Sequence, residues 1–91
     1  MKKILFETHH LYYLPNFLPI IESLKSRDGY EIFVSMPQYM QERERNLFYN
    51  AANDIGLELI KTEFEEDRIE KIKSKNFDVF IHIIYYYLIL I

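Results

Sequence analysis

The strongest constraint on this chain is an alternation. Four short runs rich in apolar strand formers, Lys3–Phe6, Glu31–Pro37, Leu57–Thr62 and Phe77–His82, are separated by three longer stretches with apolar residues at helical spacing. Strands that alternate with helices in this way predict a parallel sheet built from right-handed crossovers. The strands read as near-continuous apolar runs, as expected when helices cover both faces of a sheet. The expected fold class is therefore α/β, a Rossmann-like β-α-β-α-β-α-β half of a doubly wound parallel sheet.

The helices carry their own punctuation. Asn16 is a suitable N-cap, and Pro19 then falls at the third helical position, where its missing N–H costs nothing. Phe17, Ile20, Ile21 and Leu24 follow the spacing of one buried face. Gly29 is expected to close that helix in a left-handed conformation. Met40, Leu47, Phe48, Ala51, Ala52 and Ile55 mark a second helix, which Gly56 ends, with Gln41 to Arg45 as a solvated face. Phe64 to Asn76 is a third helix, acidic in its first turn and basic in its last, the order the helix dipole favours.

Bulk properties bound what such a fold can do. Ninety-one residues suffice for one small domain, and 49% hydrophobic residues supply a core. The net charge of −3 is spread along the chain, so no basic stripe points to nucleic acid. The absence of cysteine removes disulfides, thiolate metal sites and cysteine nucleophiles, and fits a cytoplasmic chain. The opening "MKKILFE" is not expected to act as a signal peptide, because Glu7 cuts its apolar run short. The other end is unusual: "VFIHIIYYYLILI", from Val79 to Ile91, holds no charged residue. That is roughly two-thirds of the ~20 apolar residues a membrane helix needs. Residues 1–82 are the expected domain. Residues 83–91 form an apolar tail and the expected truncation point, with a tendency to self-associate or to sit on a membrane surface.

Ligands of open parallel sheets bind at the carboxyl ends of the strands. That rule selects Glu7 to Tyr13, Ser35 with Met36, Thr62 with Glu63, and His82. All three histidines, His9, His10 and His82, fall on this edge. A neutral imidazole there suits a general base towards a hydroxyl; the plainer role is a hydrogen bond to backbone. Adjacent imidazoles point in different directions, and no carboxylate has matching spacing, so no metal site is expected. Tyr12 and Tyr13 can stack on a sugar or base, or anchor their loop. The chain has no phosphate-binding glycine motif, which excludes P-loop chemistry, and the first loop has no glycine, which argues against a tight dinucleotide grip. No cofactor is called for.

The stretch "ILFETHHLYYLPNFLPIIESLKSRDGYEIFVSMP" resembles the N-terminal half-domain of GT-B-fold transferases. That family opens with a strand, a His-bearing loop and a helix, then runs through "L-x-x-[R/K]-G-[H/Y]-E-[V/I]" into the second strand. Here the last element is "LKSRDGYEIFV", Leu24 to Val34, with an additional Asp28 before the glycine. The form of His10 to Leu24 is most similar to the CDP-glycerol glycerophosphotransferase-like branch, whose chemistry belongs to cell-envelope polymer synthesis. "FDVFIH" is similar to the fourth-strand "D-V-x-x-x-H" of UDP-N-acetylglucosamine 2-epimerases, which share the fold. The resemblance covers residues 1–82 and implies an acceptor-side base at His10, or else His9. Tyr12, Tyr13, Glu7, Ser35 and His82 complete the set of substrate-binding candidates.

These readings set the expectation of an N-terminal, acceptor-side piece of a glycosyl- or glycerophosphotransferase. Its partners would be an acceptor hydroxyl and a nucleotide-activated donor, and it would be inactive without a donor-binding domain. The alternative is a non-enzymatic α/β binding or scaffolding module with an apolar docking tail. A receiver-like domain fits poorly: it needs an acidic pair after the first strand and an Asp after the third, where this chain has Glu7 alone and Thr62-Glu63.

Overall fold

In the computed structural model, residues 1–8 and 13–83 are described. The elements are β1 (Lys2–Thr8), α1 (Tyr13–Lys25), β2 (Tyr30–Ser35), α2 (Glu42–Asp54), β3 (Glu58–Ile60), α3 (Glu65–Lys75) and β4 (Val79–Ile83). The strands form one sheet in the order β3-β2-β1-β4, and every pairing is parallel. The expected α/β architecture of four strands and three helices is therefore present.

Alternation along β1 sorts the core into two layers. Ile4 and Phe6, with Ile32 and Val34 of β2, pack against Phe17 and Ile21 of α1 and Phe48, Tyr49 and Ala52 of α2. Leu5, Phe33 and Ile60 face the other way, against Ile72 of α3 and Phe77. Successive side chains of a strand point to opposite faces, so a strand buried on both must be apolar at consecutive positions. Phe6 meets Phe17 edge to face at a centroid distance of 4.9 Å, and Phe33 meets Phe77 likewise at 5.0 Å. Each contact adds about 1 kcal/mol to the burial of the rings.

Several local expectations are corrected. α1 begins at Tyr13, so Asn16 lies inside the helix and is not its N-cap. Pro15, not Pro19, occupies the third helical position, where no N–H is required. Pro19 is interior and cannot donate to the Pro15 carbonyl, and both prolines are exposed. Ile20 belongs to the exposed side of α1, and Leu47 to that of α2. Gly29 is left-handed at φ 98°, but α1 has already ended at Lys25. The glycine instead turns the chain into β2, and its carbonyl accepts the Lys2 N–H.

Gly56 fulfils its expected role. With φ 75° it follows the C-cap Ile55, its N–H reaches the Asn53 carbonyl, and the Leu57 N–H reaches that of Ala52. These two bonds are the Schellman pattern, which a glycine at this position enters without strain. β4 runs one residue past the expected boundary, to Ile83. The rest of the apolar tail, residues 84–91, lies outside the described residues. Among the described residues no helix is long and apolar enough to cross a membrane.

Candidate functional site

The strand order places a topological switch at β1. The chain leaves β1 for β2 through α1 on one face, whereas β4 joins the other side of β1 through α3 on the opposite face. Crevices at the carboxyl ends of strands flanking such a switch are where α/β sheets bind ligands. The register brings three of the sequence candidates into one row: Glu7 of β1 pairs with Ser35 of β2 and with His82 of β4. His9, His10 and Tyr12 lie outside the described residues, as do the side chains of Tyr13 and His82.

At the carboxyl ends of β1 and β2 the polar groups converge on a residue that sequence reasoning missed. Arg68 of α3 is only 3% exposed. Its Nη1 donates to Glu7 Oε2 at 2.7 Å and to Ser35 Oγ at 2.9 Å. Its Nε and Nη2 donate to the two oxygens of Glu65 at 2.9 and 2.6 Å. Ser35 Oγ donates its own hydrogen bond to the Ile60 carbonyl at 2.8 Å. One guanidinium thus ties together the ends of β1 and β2 and, through Ser35, the end of β3. Burial works against the charge of Arg68, but the hydrogen bonds to Glu65 and Glu7 outweigh it and raise its pKa.

Arg68 had a signal in the sequence. It stands four residues before Ile72, on the same helical face, so it occupies a core-facing position. The acidic first turn around it disguises the residue as part of a solvated surface.

Tyr49 extends the network on the other face. Its hydroxyl donates to the Ile60 carbonyl at 2.9 Å, with the Met36 carbonyl at 3.2 Å as a second acceptor, and receives the Met36 N–H at 2.9 Å. Burial raises its pKa above 10.0, with the Met36 and Ser35 hydrogen bonds in partial opposition. The β2–α2 loop is fastened to α3 by Gln38. Its N–H meets Glu65 Oε1 at 2.6 Å and its side-chain amide meets the Glu63 carbonyl at 2.9 Å.

Glu7 and Ser35, both buried, are spent on Arg68 and on backbone. Among the described residues no group of three His, Cys, Asp or Glu could hold a metal ion. An open groove of about 200 Å³, lined by Met1, Lys25, Tyr30 and Glu58 among others, lies at the opposite edge, by the amino ends of the strands. It takes no part in this network. No protein-family model matches the chain, and neither does any curated protein or solved structure.

Proposed function

We propose that this chain is the acceptor-side half of a GT-B-type glycosyl- or CDP-glycerol glycerophosphotransferase. The observation that supports it is the strand order. The order β3-β2-β1-β4 makes the carboxyl end of β1 the switch point, and the segment bearing His9 and His10 follows directly from there. In this reading His10, or else His9, takes the proton of an acceptor hydroxyl as that oxygen attacks the activated donor. The nucleotide phosphate leaves towards donors on a second Rossmann-like domain, because stabilising that charge needs cations or amides aimed at it. Tyr12, Tyr13 and His82 would border the acceptor. Glu7 and Ser35 would support the site from beneath, through Arg68.

The test has two arms. The purified 91-residue chain is expected to turn over neither CDP-glycerol nor a UDP-sugar; measurable transfer by it alone refutes the half-site reading. The DNA that follows codon 91, or a neighbouring reading frame, is expected to encode a second α/β domain with phosphate-binding residues. Unrelated sequence there favours the second reading, a non-enzymatic binding module. That reading draws on one observation: two buried polar groups of the edge, Glu7 and Ser35, bond to internal partners.

A further inference from the structure

The turn between α1 and β2, residues 26–29, departs by one residue, Asp28, from the family pattern it resembles. That residue creates the chain's one Asp-Gly pair: Asp54 precedes Ile55, Asp67 precedes Arg68 and Asp78 precedes Val79. An aspartate followed by glycine is chemically reactive. The glycine amide nitrogen reaches the aspartate Cγ and closes a succinimide ring, because no Cβ on the second residue hinders the approach.

The fold leaves this pair open. Asp28 is exposed. Among the described residues its carboxylate takes part in no hydrogen bond or ion pair, and the Gly29 N–H donates to no acceptor. No atom lies within 4 Å of where a Gly29 Cβ would stand, so the ring has room. The other aspartates are held. Asp67 lies within α3, and the Arg68 N–H that follows it donates to the Phe64 carbonyl at 3.1 Å. The Asp78 carboxylate accepts the Lys3 N–H at 2.8 Å. Asp54 ends α2, and the branched Ile55 crowds the nitrogen that follows it.

We infer that Asp28–Gly29 is a site of spontaneous isoaspartate formation in the folded chain. The Gly29 nitrogen attacks the Asp28 carboxyl carbon; the C–N bond forms, and the carboxyl hydroxyl leaves with the amide proton as water. Water then adds to either carbonyl of the imide. Addition at Cγ returns aspartate. Addition at the backbone carbonyl breaks its bond to the Gly29 nitrogen, so the chain runs through Cγ and the α-carboxylate is free. Composition is unchanged, no oxidant or cofactor is consumed, and the backbone gains one methylene. The freed carboxylate is a group that an S-adenosylmethionine-dependent carboxyl methyltransferase esterifies. The added methylene adjoins Gly29, whose carbonyl accepts the Lys2 N–H at 2.8 Å at the start of the β1–β2 pairing. The isomer therefore loosens the amino end of β1, at the edge opposite Arg68. The inference goes beyond the transferase reading and does not rest on it.

Ageing the whole chain tests it, in native buffer and in parallel in concentrated urea. Peptide mapping locates the isomer, and tritiated methyl transfer by isoaspartyl methyltransferase counts it. The isomer is expected at residue 28 in native buffer, at no less than about a tenth of the rate in urea, where no fold restrains the pair. Asp28→Glu, which needs a larger ring, is expected to lose nearly all of the label. Asp28→Asn keeps the imide route, releases ammonia in place of water, and yields the same isomer. Asp28 is exposed, so both variants keep the fold, which amide dispersion verifies. In the purified isomer, exchange of the Lys2 N–H with solvent is expected to rise severalfold. Absence of the isomer from native buffer overturns the inference, whether or not it forms in urea. Equal labelling of the parent and Asp28→Glu also overturns it, and an unchanged Lys2 exchange rate overturns the assigned effect on β1. Turnover plays no part in the readout, so failure here leaves the transferase reading intact, and the reverse holds.

Discussion

The two faces of the sheet are held by different forces. The face under α1 and α2 is a continuous apolar layer from Ile4 and Phe6 through Val34 to Phe48 and Ala52. The face under α3 has a shorter apolar patch, Leu5, Phe33 and Ile60, and becomes polar at both ends. At the carboxyl end Arg68 binds Glu7, Ser35 and Glu65. At the amino end Lys3 Nζ donates to the Lys75 carbonyl, and Lys75 Nζ lies 5.5 Å from the centre of the Phe33 ring. Among the described residues two helices cover one face and a single helix the other. A single helix buries less apolar surface, so directional contacts fix its position. Burial alone is not directional, and hydrogen-bonded charge pairs are.

This difference predicts how each face fails. On the apolar face the largest effect is Phe6→Ala. Phe6 is fully buried and in ring contact with Phe17, so the truncation costs about 4 kcal/mol. A domain of this size has about 5–15 kcal/mol in total, so the variant sits near its folding limit. Urea unfolding measures the loss, and it should change little between low and high salt because no charge is involved. A loss under about 1 kcal/mol would show that the α1/α2 layer does not dominate.

On the polar face the effect is smaller and can be reversed. Arg68→Met leaves Glu7 buried beside Ser35 without its guanidinium, a loss of about 3 kcal/mol. Adding Glu7→Leu removes the carboxylate that lost its guanidinium, and the double variant is expected to regain part of the stability, with Glu65 still accepting the Gln38 N–H. Buried ion pairs exchanged whole for apolar side chains are often neutral or better. A double-mutant cycle on urea midpoints reads the coupling. Additive losses would mean that Glu7 and Arg68 act independently, and the proposed contrast between the faces would fail.

The faces also differ in how legible they were. The apolar face could be read in advance because its residues repeat at helical and strand periods: Phe17, Ile21, Phe48 and Ala52 are core residues as expected. The polar face could not. Arg68 and Tyr49 occupy core-facing positions of their helices, but a charge and a hydroxyl count as surface in a hydropathy pattern. Only their partners, which lie 61 and 11 residues away in sequence, make their burial affordable. The start of α1 was misread because Asn16 and Pro15 are competing start signals, and local propensity does not rank them. The parallel sheet followed from alternation; the order β3-β2-β1-β4 did not, since no single-strand pattern encodes its neighbours. Of the candidate site, Glu7, Ser35 and His82 do share one register row. Their positions followed from the ligand-edge rule and not from their own chemistry.

Tyr49 supplies the smallest and most selective test, because it is a buried polar group within the apolar face. Tyr49→Phe strands the Met36 N–H in a buried site and costs about 2 kcal/mol at neutral pH. The parent chain should also lose stability in alkali. Burial raises the folded-state pKa of Tyr49 above 10.0, so the folded state keeps a proton that the unfolded state releases. The contribution is complete below pH 10 and declines as the pH rises through the folded value. Removing the hydroxyl removes that decline, so Tyr49→Phe should show a shallower loss of urea-measured stability above pH 10 than the parent. The two stability curves then converge as the pH climbs. Parallel curves would place the alkaline sensitivity on other tyrosines, and would leave the α1/α2 face as purely apolar in its energetics as its composition suggests.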